Sequence, residues 1–236
     1  MKHVILSLLF VMVTVASAHA ANYITREITF NDDTVRLSGT LTVPKGVKHA
    51  PVAIILSGTG KQDRDGTMAG HKMFAAIADY LSSRGIAVFR FDDRGTGKST
   101  GVYETATTED FANDGLAALG IMKKRKDIDP HRIGFIGHSE GGAAMSIAAS
   151  RSKDVRFMVS LAGLCTDGLH ALLEQNERQV AAYNMPDYDV KRYNTINELM
   201  FRVAYKYADS DSLAVKLQEA YDKWHAMDSI YFSTLG

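Results

Sequence analysis

The chain has very little cysteine and no net charge. Its one cysteine, Cys165, excludes a disulfide within the chain, so stability must come from a hydrophobic core. Lysine plus arginine and aspartate plus glutamate both number 27, so no net field exists to attract nucleic acid or an anionic membrane. With 46% hydrophobic and 23% charged residues, the 236-residue chain fits a compact globular protein with a sizeable core.

Long apolar runs are also scarce, and the clearest one lies at the N-terminus. Lys2 precedes an apolar run over residues 4–15, and residues 16–20 (ASAHA) contain two overlapping A-x-A cleavage sites. An apolar run of about a dozen residues is too short to span a bilayer. We therefore interpret residues 1–20 as a signal peptide and expect an exported protein, periplasmic or extracellular, without a stable membrane anchor.

A second apolar run ends in the pattern Gly-x-Ser-x-Gly. Residues 132–142 read RIGFIGHSEGG, and the small residues that follow them predict a helix. A buried strand that turns sharply into a helix would hold Ser139 at its tip in a strained backbone conformation. The first amides of that helix, including the Glu140 N–H, would then point at the position where an oxyanion forms. The pattern predicts Ser139 as a nucleophile that attacks a carbonyl carbon.

Strands and helices alternate around this motif. β-rich or apolar segments predict strands at residues 23–30, 35–43, 51–56, 86–91, 132–137 and 155–161. Helical spacing and a Thr107 capping box predict helices before Gly85 and before Pro130. The alternation predicts a mostly parallel sheet with helices on both faces, whose sites lie at the carboxyl ends of the strands. Ser139, Thr59, Asp93 and Cys165 all fall at such ends.

Two glycine-containing loops follow predicted strands. Residues 57–60 (SGTG) end the strand expected beside the nucleophile strand, which favours the Thr59 backbone amide as a second oxyanion donor over an ordinary glycine turn. Residues 95–100 (GTGKST) resemble a phosphate loop, but Asp92 occupies the position where that pattern requires glycine. We therefore interpret this loop as a structural turn in which Arg94 pairs with a neighbouring aspartate.

Four motifs carry a family resemblance: residues 57–65 (SGTGKQDRD), 70–72 (GHK), 92–99 (DDRGTGKS) and 137–142 (GHSEGG). In this order they resemble the exported bacterial α/β-hydrolases of the EstD-like esterase group, related to serine aminopeptidases and monoacylglycerol lipases. The resemblance covers roughly residues 23–163. It implies an α/β-hydrolase fold, Ser139 as nucleophile, the amides of Thr59 and Glu140 as oxyanion hole, and hydrolysis of small esters without a metal or cofactor.

The C-terminal third departs from the family's pattern. In this fold the acid and the histidine of the triad follow the serine, on loops after two further strands. After residue 161, apolar residues instead recur at helical spacing, which resembles the helical cap that such hydrolases insert before their final strands. The sequence predicts a hydrolase core over residues 21–165 and a helical cap over residues 166–236. We expect the final strands to be missing.

The sequence does not identify the base that would activate the serine. His71 lies in the loop beside the predicted oxyanion hole, whereas His170 and His225 lie on predicted cap helices. The last two would reach Ser139 only in an unusual arrangement. Asp167, after the strand that follows the nucleophile, is a weak candidate for the acid. A serine without a base is a poor nucleophile, so these residues predict little or no esterase activity.

Three functions remain open from the sequence. The elbow and the resemblance favour a serine carboxylesterase that acts on a small-molecule ester through an acyl-enzyme on Ser139. The missing base instead favours a truncated or degenerate hydrolase, an inactive fragment or a binding module. An aminopeptidase would differ from the esterase only in turning over amide substrates.

The predicted cap helices carry large apolar side chains on one face, among them Met200, Tyr207, Tyr221 and Trp224. These residues are predicted either to roof the pocket above Ser139 or to pack on the sheet. If the final strands are missing, part of these faces would lack a partner and would favour self-association.

Overall fold

A six-stranded sheet forms the centre of the molecule. The computed structural model describes residues 22–164 and 166–235, so the predicted signal peptide and Cys165 lie outside the described residues. The strands are β1 (Tyr23–Asp32), β2 (Val35–Pro44), β3 (Ala50–Leu56), β4 (Thr67–Met68), β5 (His71–Lys72), β6 (Ala87–Phe91), β7 (Ile128–His138) and β8 (Met158–Leu161). The helices are α1 (Met73–Ser82), α2 (Thr108–Lys123), α3 (Glu140–Arg151), α4 (Gly168–Ala182), α5 (Asp187–Tyr207) and α6 (Leu213–Leu235).

The sheet is mostly parallel, as the alternating pattern predicts. Its strand order is β1-β2-β6-β3-β7-β8, while β4 and β5 form a separate two-stranded ribbon. β1 pairs antiparallel with β2 along its whole length, and β2 pairs antiparallel with β6. The pairs β6 with β3, β3 with β7 and β7 with β8 are parallel. Strands β6, β3 and β7 are therefore neighbours whose carboxyl ends lie at the same edge of the sheet.

Helices cover both faces of the sheet because the central strands are apolar on both sides. Alternate side chains of β3 point to opposite faces, so Ile54 packs in the cluster that includes Ala112 of α2. Ile55 faces the other way and packs in the cluster that includes Phe74 of α1. The prediction of helices on both faces is confirmed.

The start of α2 and the turn between β1 and β2 have the local features that the sequence predicts. Thr107 caps α2, its Oγ1 accepting from the Asp110 N–H at 3.3 Å while the Asp110 carboxylate accepts from the Thr107 N–H at 2.8 Å. This is the predicted capping box. The hairpin turn between β1 and β2 contains Asp33 at φ 47°, a conformation that aspartate tolerates better than most residues.

After β8 the described residues form three helices joined by loops, as the helical spacing predicts. α4 packs against α5, and α5 packs against α6. Trp224 of α6 lines a groove with Arg192 of α5, whose guanidinium carbon lies 5.2 Å from the Trp224 ring centroid. The role of these helices as a cap above the active site stays a prediction. Among the described helices, none is both long enough and apolar enough to cross a membrane.

Candidate active site

Ser139 occupies a sharp turn between β7 and α3. Its backbone has φ 52° and ψ −118°, outside the regions that residues with a side chain normally adopt. Three backbone hydrogen bonds hold the turn. The Ser139 N–H donates to the Leu161 carbonyl at 3.1 Å, and the Ser139 carbonyl accepts from the N–H groups of Gly142 at 2.9 Å and Leu164 at 3.2 Å. The surrounding fold therefore fixes the strained conformation that the sequence pattern predicts.

The turn needs glycine at position 141 because the chain after β3 crosses close by. A Cβ added at Gly141 would lie 2.3 Å from the Leu56 carbonyl oxygen and 2.5 Å from the Ser57 carbonyl oxygen. Backbone oxygens at these distances cannot be displaced by a rotamer change. The start of α3 thus packs directly on the end of β3, which brings the loop after β3 beside the serine.

The loop after β3 contacts Ser139, and the Asp93 carboxylate anchors this loop through hydrogen bonds. A Cβ added at Gly58 would lie 2.9 Å from the Ser139 Cβ, so the Gly58 backbone abuts the serine side chain. One Asp93 carboxylate oxygen accepts from the Ser57 hydroxyl, and the other accepts from the Gln62 N–H at 2.8 Å. Asp93 therefore ties both ends of the segment 57–62.

Asp93 is a buried acid, with 5% of its surface exposed. Burial raises the pKa of its carboxyl to about 7, and the nearby charges of Asp114 and Asp92 add to the rise. The hydrogen bonds from Ser57 and Gln62 oppose this change because they stabilise the carboxylate. The anchor of the loop is thus a group that changes protonation near neutral pH.

Tyr103 holds the middle of the same loop. Its hydroxyl accepts from the Gly60 N–H at 2.5 Å, and its ring stacks on Phe111 of α2 with 5.4 Å between centroids. The ammonium of Lys61 pairs with Glu104 at 2.6 Å on the surface. The loop is therefore attached to the segment before α2 as well as to Asp93.

The two predicted oxyanion donors are linked by a side chain. One Glu140 carboxylate oxygen accepts from the Thr59 hydroxyl at 2.8 Å, and the other accepts from the Thr108 hydroxyl at 2.7 Å. Within residues 22–164 and 166–235, neither the Thr59 N–H nor the Glu140 N–H donates to a protein acceptor. The assignment of these two amides as oxyanion donors stays a prediction.

The prediction that Arg94 pairs with a neighbouring aspartate is wrong. Arg94 donates from Nε and Nη2 to both carboxylate oxygens of Asp114 on α2, at 2.8 and 3.0 Å, and from Nη2 to Asp32 at 2.8 Å. Successive side chains of an extended turn point in different directions, so Asp92 faces Arg64 instead and accepts from it at 2.7 to 3.0 Å.

The glycine-rich loop at residues 95–100 binds a carboxylate of its own chain. The Lys98 N–H donates to Asp92 at 3.0 Å, and the Lys98 ammonium lies 3.5 Å from Glu27 at the surface. A backbone amide that a phosphate loop would present to a ligand is here occupied by protein. This agrees with the interpretation of the loop as a structural turn.

The predicted base candidates lie on three different elements, the β4–β5 ribbon, α4 and α6. His71 is exposed in the β4–β5 ribbon, and His225 lies on α6 with its ring 5.8 Å from Tyr221. Nδ1 of His170 lies 2.5 Å from the carboxylate of Asp167, which also caps α4. In the part of the chain that the structure describes, no histidine hydrogen-bonds the Ser139 hydroxyl.

His138 packs rather than points at the serine. Its ring lies edge-on to Phe74, with 6.0 Å between ring centroids, and its Nδ1 is buried without a hydrogen-bond partner among the described residues.

The same described ranges contain no group of three or more histidine, cysteine or acidic side chains placed to hold a metal ion.

The family model described as serine aminopeptidase, S33 matches residues 66–216 of this chain. The chain belongs to this serine aminopeptidase family. The match includes Ser139 and Glu140 but starts after Thr59, so the loop that carries the second predicted donor lies outside it.

One relative of this chain is Esterase EstD of Thermotoga maritima. The two are 34% identical over 128 residues, which cover 54% of this chain and 30% of EstD. The esterase Pf2001 of Pyrococcus furiosus superposes with a TM-score of 0.52 and 24% identity, over 76% of this chain and 65% of that one. The α/β-hydrolase GrgF of Penicillium sp. sh18 superposes with a TM-score of 0.53 and 21% identity, over 69% of this chain and 53% of that one.

These matches establish the α/β-hydrolase fold and the family. They also span less than two thirds of each relative's length. The sequence does not predict two residues that bind the site's backbone and side chains, Tyr103 at Gly60 and Thr108 at Glu140. Local patterns carry no signal for them because Tyr103 lies before α2 and Thr108 begins it, more than 30 positions from Ser139.

Proposed function

We propose that the chain is a serine hydrolase that cleaves small carboxylic esters through an acyl-enzyme on Ser139. The observation that carries the proposal is the backbone of Ser139 at φ 52° and ψ −118°, beside two amides with no acceptor among the described residues. A turn of this kind supports the proposal because it is expected to lift the hydroxyl clear of the sheet, near the amides of the new helix. The name of EstD, an esterase, supports ester substrates.

The reaction would proceed in two steps. Ser139 Oγ attacks the ester carbonyl carbon while the Thr59 and Glu140 amides and the positive end of α3 stabilise the oxyanion. The intermediate expels the alcohol and leaves an acyl group on Oγ, which water then removes as the carboxylic acid. A base must accept the Ser139 proton in the first step and activate the water in the second.

The test uses a fluorophosphonate probe together with p-nitrophenyl acetate. We expect the probe to label Ser139, and we expect Ser139→Ala to abolish both labelling and turnover. Ser150→Ala is the matched control, since Ser150 is an exposed serine of the same helix that donates to the Ile147 carbonyl at 2.7 Å. Lys98→Ala should leave turnover intact. Labelling that survives in Ser139→Ala would refute the proposal.

The rate of turnover reports on the base. Oxyanion donors without a base leave catalysis orders of magnitude below that of a complete triad. We expect slow turnover from the described residues. Brisk, saturable turnover that is lost in one of His71→Gln, His170→Gln or His225→Gln would instead identify that histidine as the base. His170 is the described histidine that a carboxylate already orients.

An aminopeptidase is the second candidate, favoured by the family to which residues 66–216 belong. The same nucleophile and oxyanion donors serve amide hydrolysis, and the difference lies in the leaving group. Parallel assays with p-nitrophenyl acetate and an amino-acid p-nitroanilide separate the two functions. Faster Ser139-dependent turnover of the anilide would favour the peptidase, and absence of both activities would favour a binding module.

A further inference from the structure

The Glu140 side chain connects three elements at the candidate oxyanion hole. Glu140 is the first residue of α3, Thr59 lies in the loop after β3, and Thr108 is the first residue of α2. Each carboxylate oxygen of Glu140 accepts one hydroxyl, from Thr59 at 2.8 Å and from Thr108 at 2.7 Å. Both distances are ordinary for a hydroxyl donor, and the carboxylate acceptor makes these hydrogen bonds stronger than those between neutral groups.

We call the Glu140 carboxylate and its hydrogen bonds to Thr59 and Thr108 the bridge. It matters because the two proposed oxyanion donors, the amides of Thr59 and Glu140, lie on different elements. The Glu140 amide is fixed at the helix start, next to Ser139 in the chain. The Thr59 amide belongs to a loop, so its distance from the Glu140 amide depends on how that loop is held. Stabilisation of an oxyanion needs both amides within about 3 Å of one oxygen atom.

The other hydrogen bonds that hold the loop after β3 are made by residues on either side of Thr59. Asp93 binds Ser57 and Gln62, and Tyr103 binds Gly60. Among the described residues, the Glu140 carboxylate is the group that hydrogen-bonds Thr59 itself. Loss of that contact would free the residue that carries the second donor while the rest of the loop stays attached.

We propose that Glu140 is a positioning residue. Its carboxylate sets the Thr59 amide opposite the Glu140 amide, and the Thr108 hydroxyl holds the carboxylate in place. This role rests on the proposed function, because it concerns the oxyanion of that reaction.

The role predicts an effect on kcat with KM unchanged, since the amides are needed most in the transition state. A misplacement of about 1 Å can cost about 100-fold in rate, so we expect Thr59→Val to lower kcat by about 10- to 100-fold. Thr59→Ser keeps the hydroxyl and should restore most of the rate. Thr108→Val should have a smaller effect of the same kind.

A double variant distinguishes the bridge from two independent effects. If Thr108 acts on Thr59 through the Glu140 carboxylate, Thr108→Val should change kcat little once Thr59→Val is present. The matched control is Glu109→Gln, because Glu109 neighbours Thr108 on α2 but binds Arg151 at 2.9 Å instead. It should leave kcat and KM at wild-type values.

The measurement is kcat and KM for p-nitrophenyl acetate, with the fluorophosphonate labelling rate of Ser139 as a second readout. A Thr59→Val variant with wild-type kcat and labelling rate would overturn the bridge while the proposed function stands. Equal loss in Thr59→Val and Thr59→Ser would also overturn it, since the hydroxyl would then be irrelevant. A wild-type chain that neither labels nor turns over would refute the proposed function and this role with it.

Discussion

The buried carboxyl of Asp93 predicts a pH-dependent stability. Asp93 lies under the loop after β3, 5% exposed, and burial raises its pKa from 3.8 to about 7. Because the folded state binds this proton more tightly than the unfolded state, the carboxyl stabilises the folded chain fully below about pH 4. That contribution is lost as the pH rises through about 7. The substitution Asp93→Asn removes the titration while keeping the size of the side chain.

The magnitude follows from the two pKa values. A difference of about three pH units between folded and unfolded states corresponds to about 4 kcal/mol in total, of which about 3 kcal/mol falls between pH 5 and pH 8. An asparagine can still accept from the Gln62 N–H, and its amide can donate to the Ser57 hydroxyl oxygen. The variant should therefore gain about 3 kcal/mol relative to the wild type when the pH is raised from 5 to 8.

The assay is urea unfolding of both proteins at pH 5 and pH 8. With a slope of about 2 to 3 kcal/mol per molar urea, the relative midpoint of Asp93→Asn should rise by about 1 M between the two pH values. Asp33→Asn, at an exposed position of the β1–β2 turn, controls for the change in net charge. Asp114 titrates in both proteins, so its contribution cancels in the comparison except for the part that comes from repulsion between its charge and that of Asp93.

A constant difference between wild type and Asp93→Asn at both pH values would refute the reasoning. It would mean that the carboxyl keeps the same charge at pH 5 and pH 8, so burial would not govern its protonation. The same constant difference is the result expected if the hydrogen bonds from Ser57 and Gln62 outweigh the loss of hydration, because the carboxyl would then be ionised in the folded and unfolded states at both pH values.

Two further substitutions test the packing around the site. Gly141→Ala should cost about 3 kcal/mol or more, because its Cβ would meet the Leu56 carbonyl oxygen at 2.3 Å, and a Tm within about 2 °C of the wild type would contradict this. Arg94→Met should cost about 3 to 5 kcal/mol at pH 8, because it leaves the Asp114 carboxylate, 2% exposed, without its partner. Burial raises the pKa of Asp114 to about 6, so the loss in urea unfolding should be smaller at pH 5, and equal losses would contradict the assignment.

The elements and the elbow could be predicted from the sequence because their signals are local. The capping box spans residues 107–110, and the strand-to-helix turn is encoded within residues 132–142. Alternating apolar segments with helical patterns between them specify a parallel sheet without any knowledge of side-chain partners. The strain at Ser139 was predictable because the Gly-x-Ser-x-Gly pattern that marks the turn is local, although Leu161 and Leu164 help to hold it.

The side-chain partners could not be predicted because they depend on how distant segments meet. Arg94 carries the same charge whichever aspartate it faces, and its true partner Asp114 is 20 positions away on α2. The hydroxyl of Thr59 reaches Glu140 across 81 positions. No periodicity or motif encodes such pairs, whose geometry appears only once strands and helices are packed.

The base of the proposed reaction was not predictable either, for a different physical reason. A histidine becomes a base through its position relative to the serine hydroxyl and to an orienting acid, not through its sequence neighbours. Asp167 and His170 form a contact of 2.5 Å that helical spacing of three residues permits, so the sequence suggests that pair only in hindsight.

The sheet order explains why three separated motifs act together. The motif at residues 57–60 follows β3, that at residues 92–99 follows β6, and that at residues 137–142 joins β7 to α3. Because β3 lies between β6 and β7 and all three run parallel, their ends meet at one edge. Asp93 then supports the loop from one side and Glu140 from the other. The central loop can align with Ser139 only when both neighbouring strands are in register.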